Sequence, residues 1–171
     1  MGKKIYEELK RFKNKNIINN IGVSIYSISD LKNIIKKFSM DVVLISLNIF
    51  DQRILDKKII KTLKRRNVKI YTRSTFLQGL LLIPKNRIPI KFNRWKKKFD
   101  MWFKELEKNK VSSYDACLDF VLKNKDVDKT LIGIDNFKQF KQIFKDKPKI
   151  NINYKKFNSN KINKLINPAK W

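Results

Sequence analysis

The stretch RSTFLQGLLLIP, Arg73 to Pro84, mixes an arginine, a serine and a glycine into an otherwise apolar block. A core helix would not choose Gly79 or Arg73. A solvated loop would not choose Leu77, Leu80, Leu81 and Leu82. The pattern is a short apolar turn with a polar lip and one flexible residue. Nucleophilic chemistry finds little support elsewhere. The lone Cys117 sits in DACLDFVL, an apolar helical stretch, and the chain has no histidine to activate it. A buried small hydrophobe is the expected role for that thiol. One cysteine also leaves no intramolecular disulfide and no cysteine-based zinc cluster.

The elements that must position this turn follow from periodicity. Tyr6, Leu9 and Phe12 share a helical face. Ile21–Tyr26 reads as a strand. Ser27 or Ser29 caps a helix carrying Leu31, Ile34, Ile35 and Phe38. Asp41–Asn48 is a nearly continuous β-branched run, the mark of a strand covered on both faces. A helix with Leu55, Ile59, Ile60 and Leu63 follows, then a strand over Val68–Arg73. Past the quoted turn lie a basic loop, 85–91, an amphipathic helix with Trp95, Phe99, Trp102, Phe103 and Leu106, and a second helix opened by Ser112 and Asp115 in a capping-box spacing. Thr130–Asp135 is the fourth strand. Asn136 caps a last helix with Phe137, Phe140, Ile143 and Phe144. Residues 147–171 read as an irregular, partly mobile Asn/Lys-rich tail beyond a domain of residues 1–146.

Strands alternating with helices imply parallel βα units. The fold class expected is α/β, a partial (β/α)8 TIM barrel of about four parallel units, with extra helices. A complete barrel takes ~250 residues, and this chain has 171. Four units leave two strand edges unpaired, at Ile21–Tyr26 and Thr130–Asp135, and an inner face without its opposite wall. A separate N-terminal half-barrel chain or a homodimer would supply the missing surface. A decayed or truncated product is the third solution.

The formal net charge of +26 invites a nucleic-acid reading. The lysines run from Lys3 to Lys170 without gathering on one stretch, as a composition rich in Lys, Asn and Ile gives throughout. Nucleic acid is therefore expected only as a non-specific ligand. No signal peptide or membrane-spanning run is present. MGKKIY opens like a myristoylation signal, but Tyr6 stands where Ser or Thr belongs. A cytoplasmic location with no membrane partner is the expectation.

With the strands placed, KNKNIINNIGVSIYS, VVLISLNIFDQR, YTRSTFLQGLLL, LIGIDNFKQFKQI and INPAKW, in that order, resemble the C-terminal half of the aldo/keto reductases, strands five to eight of their barrel. The resemblance implies an oxidoreductase-like fold that binds NADP or NAD and, when complete, reduces a small carbonyl substrate; no metal is implied. It gives the quoted turn a task, because the family's loop after strand seven closes over the cofactor pyrophosphate. There Ser74 and Gly79 keep their places, while Arg73 stands where many members carry an aromatic that stacks on the nicotinamide. A guanidinium can stack, pair with a phosphate, or simply end a strand. Ser24 matches the serine that contacts the nicotinamide carboxamide, and Asn48 matches an asparagine at the end of strand six. Gly133 and Asn136 are retained after strand eight, and Gln139 is an adenosine-side polar contact. Each of these eight residues serves equally well as a capping or turn residue of the barrel rim. Departures are clear: the glutamine expected in strand six falls at Leu44, an asparagine after Ser24 at Ile25, and a late-turn asparagine at Ile143. The family's Asp, Tyr, Lys and His set comes from the first four strands, and nothing here matches it. No catalytic residue is assigned, and turnover by this chain alone is not expected.

Overall fold

A computed structural model describes residues 2–146 and 148–171. Helix α1 (Gly2–Asn14) leads into β1 (Gly22–Ser24), α2 (Ile28–Lys37), β2 (Val42–Ser46), α3 (Lys57–Arg65) and β3 (Lys69–Arg73). After a run of 3-10 turns come α4 (Lys96–Asn109), α5 (Ser113–Leu122), β4 (Lys129–Thr130), α6 (Phe137–Phe144) and the short α7 (Asn163–Ile166). The four strands form one parallel sheet in the order β1-β2-β3-β4. This is the expected α/β partial barrel.

Local chemistry starts the helices where it should. Ser27 accepts from the Asp30 N–H at 3.0 Å, Ser112 from Asp115 at 3.0 Å, and Asn136 from Gln139 at 3.0 Å. Asp56 caps α3 through the N–H groups of Lys58 and Ile59. At the N-terminal end of the sheet, the Asp41 carboxylate accepts from the Ile21 N–H at 2.7 Å and from Lys13 Nζ at 2.6 Å. That pairing ties α1 to the sheet. The apolar side of α1 is only lightly packed: Tyr6 leans on the Phe38 ring and hydrogen-bonds the Ser39 backbone.

Side chains of a strand alternate between faces, so the register sorts the sheet. Val43, Ile45, Ile70 and Thr72 are buried toward the helices. The opposite face carries Gly22, Ser24, Val42, Leu44, Lys69, Tyr71 and Lys129, all of them at least partly exposed. It holds two lysines and no carboxylate. This is the uncovered inner face that a half barrel must have. The strand expected over Thr130–Asp135 is regular only at Lys129–Thr130. Beyond it the chain runs along the free edge, with Leu131 and Ile134 exposed.

The tail departs from expectation. Its backbone is irregular, but it is not a separate unit. Ile150, Ile152, Phe157, Leu165 and Ile166 are all buried in the one core. The Phe157 ring meets Trp102 edge-on, with centroids 5.2 Å apart, and both rings are fully buried. Ser159 N–H donates to the Phe50 carbonyl at 2.8 Å. Tyr154 donates to Asp119 at 2.7 Å; burial, together with that carboxylate, drives its phenol pKa upward. The boundary expected at residue 147 is therefore crossed by the core; Lys147 itself lies outside the described residues.

Gly79 adopts φ 80°, ψ −11°, and a Cβ placed there would meet no atom within 4 Å. Its side-chain space is open, so Gly79→Ala should cost only backbone strain, about 1–2 kcal/mol. Urea unfolding of the variant checks this. By the same assay, Phe157→Ala should cost about 3–5 kcal/mol, as a fully buried aromatic does. Asp41 gives a pH signature. Desolvation raises its pKa, but the Ile21 N–H and Lys13 outweigh it, and the net shift is downward. A depressed folded pKa contributes stability above the ordinary carboxylate range, lost as pH falls through the folded value. Asp41→Asn should therefore destabilise by about 1 kcal/mol at neutral pH. The gap to the unsubstituted chain should close in acid.

Candidate functional site

The C-terminal ends of the strands gather the site. Past β3 the backbone enters the left-handed region four times in six residues. Ser74 has φ 62°, Leu77 48°, Gln78 55° and Gly79 80°. Glycine accepts this freely; a bulky leucine does not, and such strain persists only where the surroundings enforce it. Leu77, Leu80 and Leu81 do that by burial. The coiled turn is closed by Leu77 N–H to Ser74 O at 2.9 Å and Leu80 N–H to Leu77 O at 3.1 Å. The N–H groups of Thr75, Phe76, Gln78 and Gly79 donate to none of the described residues. Successive free N–H groups in such a turn form an anion-binding concavity.

This turn makes one wall of an open groove of about 890 Å³. The other wall is the segment after β4, including Gly133 and Asp135, with Gln139 of α6. Arg73, Ser74, Gly79, Gly133 and Gln139 therefore line one groove. A Cβ on Gly133, as on Gly79, would project into empty space. Asn136 stands at its edge, its side chain committed to capping α6; Gln139 reaches back to the Asp135 N–H at 2.7 Å. The groove floor includes Phe76, stacked on Tyr114 with centroids 5.1 Å apart. Thr75 is buried there, and its hydroxyl has no partner among the described residues.

Two expected contacts sit elsewhere. Ser24 lies exposed on β1, outside the groove. Asn48 is fully buried. Its carbonyl oxygen accepts from the Phe50 and Asp51 N–H groups at 3.0 Å each, and its amide donates to the Ser74 carbonyl at 3.1 Å. These bonds hold the strained turn in position. Arg73 also has internal partners. Its guanidinium sits 4.5 Å from the centre of the Tyr26 ring and reaches Ser74 Oγ at 3.3 Å and the Ile25 carbonyl at 3.4 Å.

Sequence reasoning passed over Asp51, Gln52 and Arg53 of NIFDQR. Asp51 is fully buried and grips the Arg53 guanidinium through two bonds, at 2.8 and 2.7 Å. Gln52 donates to the Ile49 and Tyr154 carbonyls, 2.8 Å each, and binds the tail to the sheet. A dense polar run directly after a buried strand was the available signal. Cys117 is wholly buried, and burial pushes its thiol pKa up, which suits an inert core residue. Among the described residues no group of His, Cys, Asp and Glu could hold a metal ion, and no helix is long and apolar enough to cross a membrane.

Comparison with known proteins agrees with this architecture. The profile of the aldo/keto reductase family matches residues 3–164. No curated protein matches. Among solved structures, the apo form of aldo-keto reductase AKR11C1 from Bacillus halodurans superposes with a TM-score of 0.65 at 16% identity, over 89% of this chain and 54% of its own. Its holo form gives 0.60 at 17%, over 81% and 47%. Glycerol dehydrogenase AKR11B4 from Gluconobacter oxydans gives 0.59 at 21%, over 94% and 54%. The chain thus spans about half the length of the structures it matches, and over that half it keeps their parallel βα order. With the profile covering nearly all of its residues, the chain belongs to the aldo/keto reductase family.

Proposed function

We propose that this chain is the NAD(P)H-binding half of an aldo/keto reductase-like oxidoreductase, equivalent to strands five to eight of the barrel. The observation that carries this reading is the turn at 74–79. Its strained backbone offers uncommitted N–H groups to a groove where two glycines leave room for a ligand. Such a wall suits the pyrophosphate of a dinucleotide. Ser74 and the α6 N-terminus at Asn136 would add polar contacts, and Arg73 a cation. NADP and NAD are both compatible, since Lys138 and Lys141 are the nearest cations in sequence to a 2′-phosphate grip.

Proton donation to a carbonyl is a different matter. The residues that would supply it are not in this chain, which has no histidine. We propose that the small carbonyl substrate is reduced only when four further βα units cover the inner face and pair with the edges of β1 and β4. A separate half-barrel chain or a second copy could provide them. The charges favour the former: a second copy would add Lys69 and Lys129 again to a face without carboxylates. A cytoplasmic setting fits the single, unpaired thiol.

Net charge favours one other reading, a basic module that binds nucleic acid without sequence preference. Gel-shift titration separates it, because such affinity falls steeply with salt. For the main reading, NADPH is titrated by fluorescence. Binding weaker than about 1 μM, weakened further by Gly79→Ala, and no carbonyl reduction by the chain alone are expected. No binding at millimolar NADPH would overturn the cofactor reading. Carbonyl reduction by the single chain would overturn the missing-half reading.

A further inference from the structure

Beside the dinucleotide groove lies a second, smaller pocket of about 220 Å³, below the range of a typical cofactor cleft. It opens at the C-terminal ends of β1, β2 and β3. Tyr26, Ser46, Arg53 and Arg73 line it from the sheet side, Gln78 from the strained turn, and residues 166–169 of the tail close it. It shares only Arg73 and Gln78 with the groove.

Its chemistry is one-sided. Two guanidinium groups face it and no carboxylate lines it. Arg53 spends Nε and Nη2 on the buried Asp51, which fixes the arginine in place and leaves Nη1 uncommitted. Arg73 makes only long bonds, at 3.3 and 3.4 Å, so its N–H groups are under-used. Its plane is held over Tyr26 instead. Ser46 is 8% exposed, and among the described residues its hydroxyl has no hydrogen-bond partner. The Ser46 hydroxyl and the two under-used guanidinium groups leave three sets of donors free for one ligand. The Asp51–Arg53 pair is neutral, so Arg73 leaves the pocket with an excess positive charge.

We propose that this pocket binds a small oxyanion, the carboxylate or phosphate group of a low-molecular-weight ligand, with Arg73 and Arg53 as charge partners and Ser46 as a hydroxyl donor. Planar, forked donors suit both groups. The site needs no dinucleotide. If the cofactor reading also holds, it names the substrate class: a carbonyl compound carrying an acidic group, held next to the cofactor groove.

Isothermal titration at 0.15 M salt tests it, with pyruvate and inorganic phosphate as separate probes and no NADPH present. Saturable one-to-one binding of either probe is expected. Which probe binds tells carboxylate from phosphate recognition, and binding of both marks a general oxyanion site. Arg73→Gln should weaken it at least tenfold and Ser46→Ala several-fold, while Arg11→Gln, on an exposed arginine of α1 that does not line the pocket, should leave it unchanged. Circular dichroism of each variant confirms the fold. No saturable binding of either probe overturns the proposal. So does binding that Arg73→Gln leaves intact, because it would then be diffuse attraction to surface lysines. Failure of NADPH to bind, with the anion site intact, would count against the cofactor reading alone.

Discussion

The backbone after β2 turns sharply while fully buried, and Asn48 is what makes that affordable. One side-chain amide satisfies two N–H groups of its own turn and the carbonyl of Ser74 across the sheet. An orphaned buried amide costs about 1–3 kcal/mol, so three satisfied at once outweigh most single contacts here. The loop after β2 and the strained turn after β3 both hang from this residue. Asp51, Gln52 and Arg53 are placed by the same turn. Through Gln52 it reaches the tail, which in turn closes the smaller pocket. The site is thus a set of loops braced against each other, on a sheet that supplies their starting points.

Such bracing explains how a strained turn can persist. Ser74, Leu77 and Gln78 hold left-handed conformations that they would not choose in isolation. Buried leucines anchor one side and the Asn48 amide the other. The groove can then present backbone N–H groups without spending side chains on the task.

Much of this was legible in the sequence, and the failures have physical causes. Ser112 and Asn136 announced their caps, and Ser27 or Ser29 a third, because capping acts within three residues; the structure selects Ser27. Gly79 announced its turn because few other residues tolerate that backbone. Strand alternation gave the parallel order. What depended on distant partners was hidden. The bond from Asn48 to Ser74 is one such contact, since the two residues lie 26 apart in sequence. Arg73 finds its aromatic partner at Tyr26, which is remote in sequence. The fourth strand was read too long because its apolar run suggested burial, while a free edge leaves Leu131 and Ile134 exposed. The tail hides its anchors because Asn and Lys dominate it, while Phe157 and Leu165 are fully buried in the core.

That anchored tail bears on how the chain comes off the ribosome. Translation proceeds at about 5–20 residues per second, and residues 150–166 are made after every strand of the sheet. Until they emerge, Trp102 lacks its Phe157 partner and the turn after β2 lacks its bond to Tyr154. The core is therefore completed only when the tail is made.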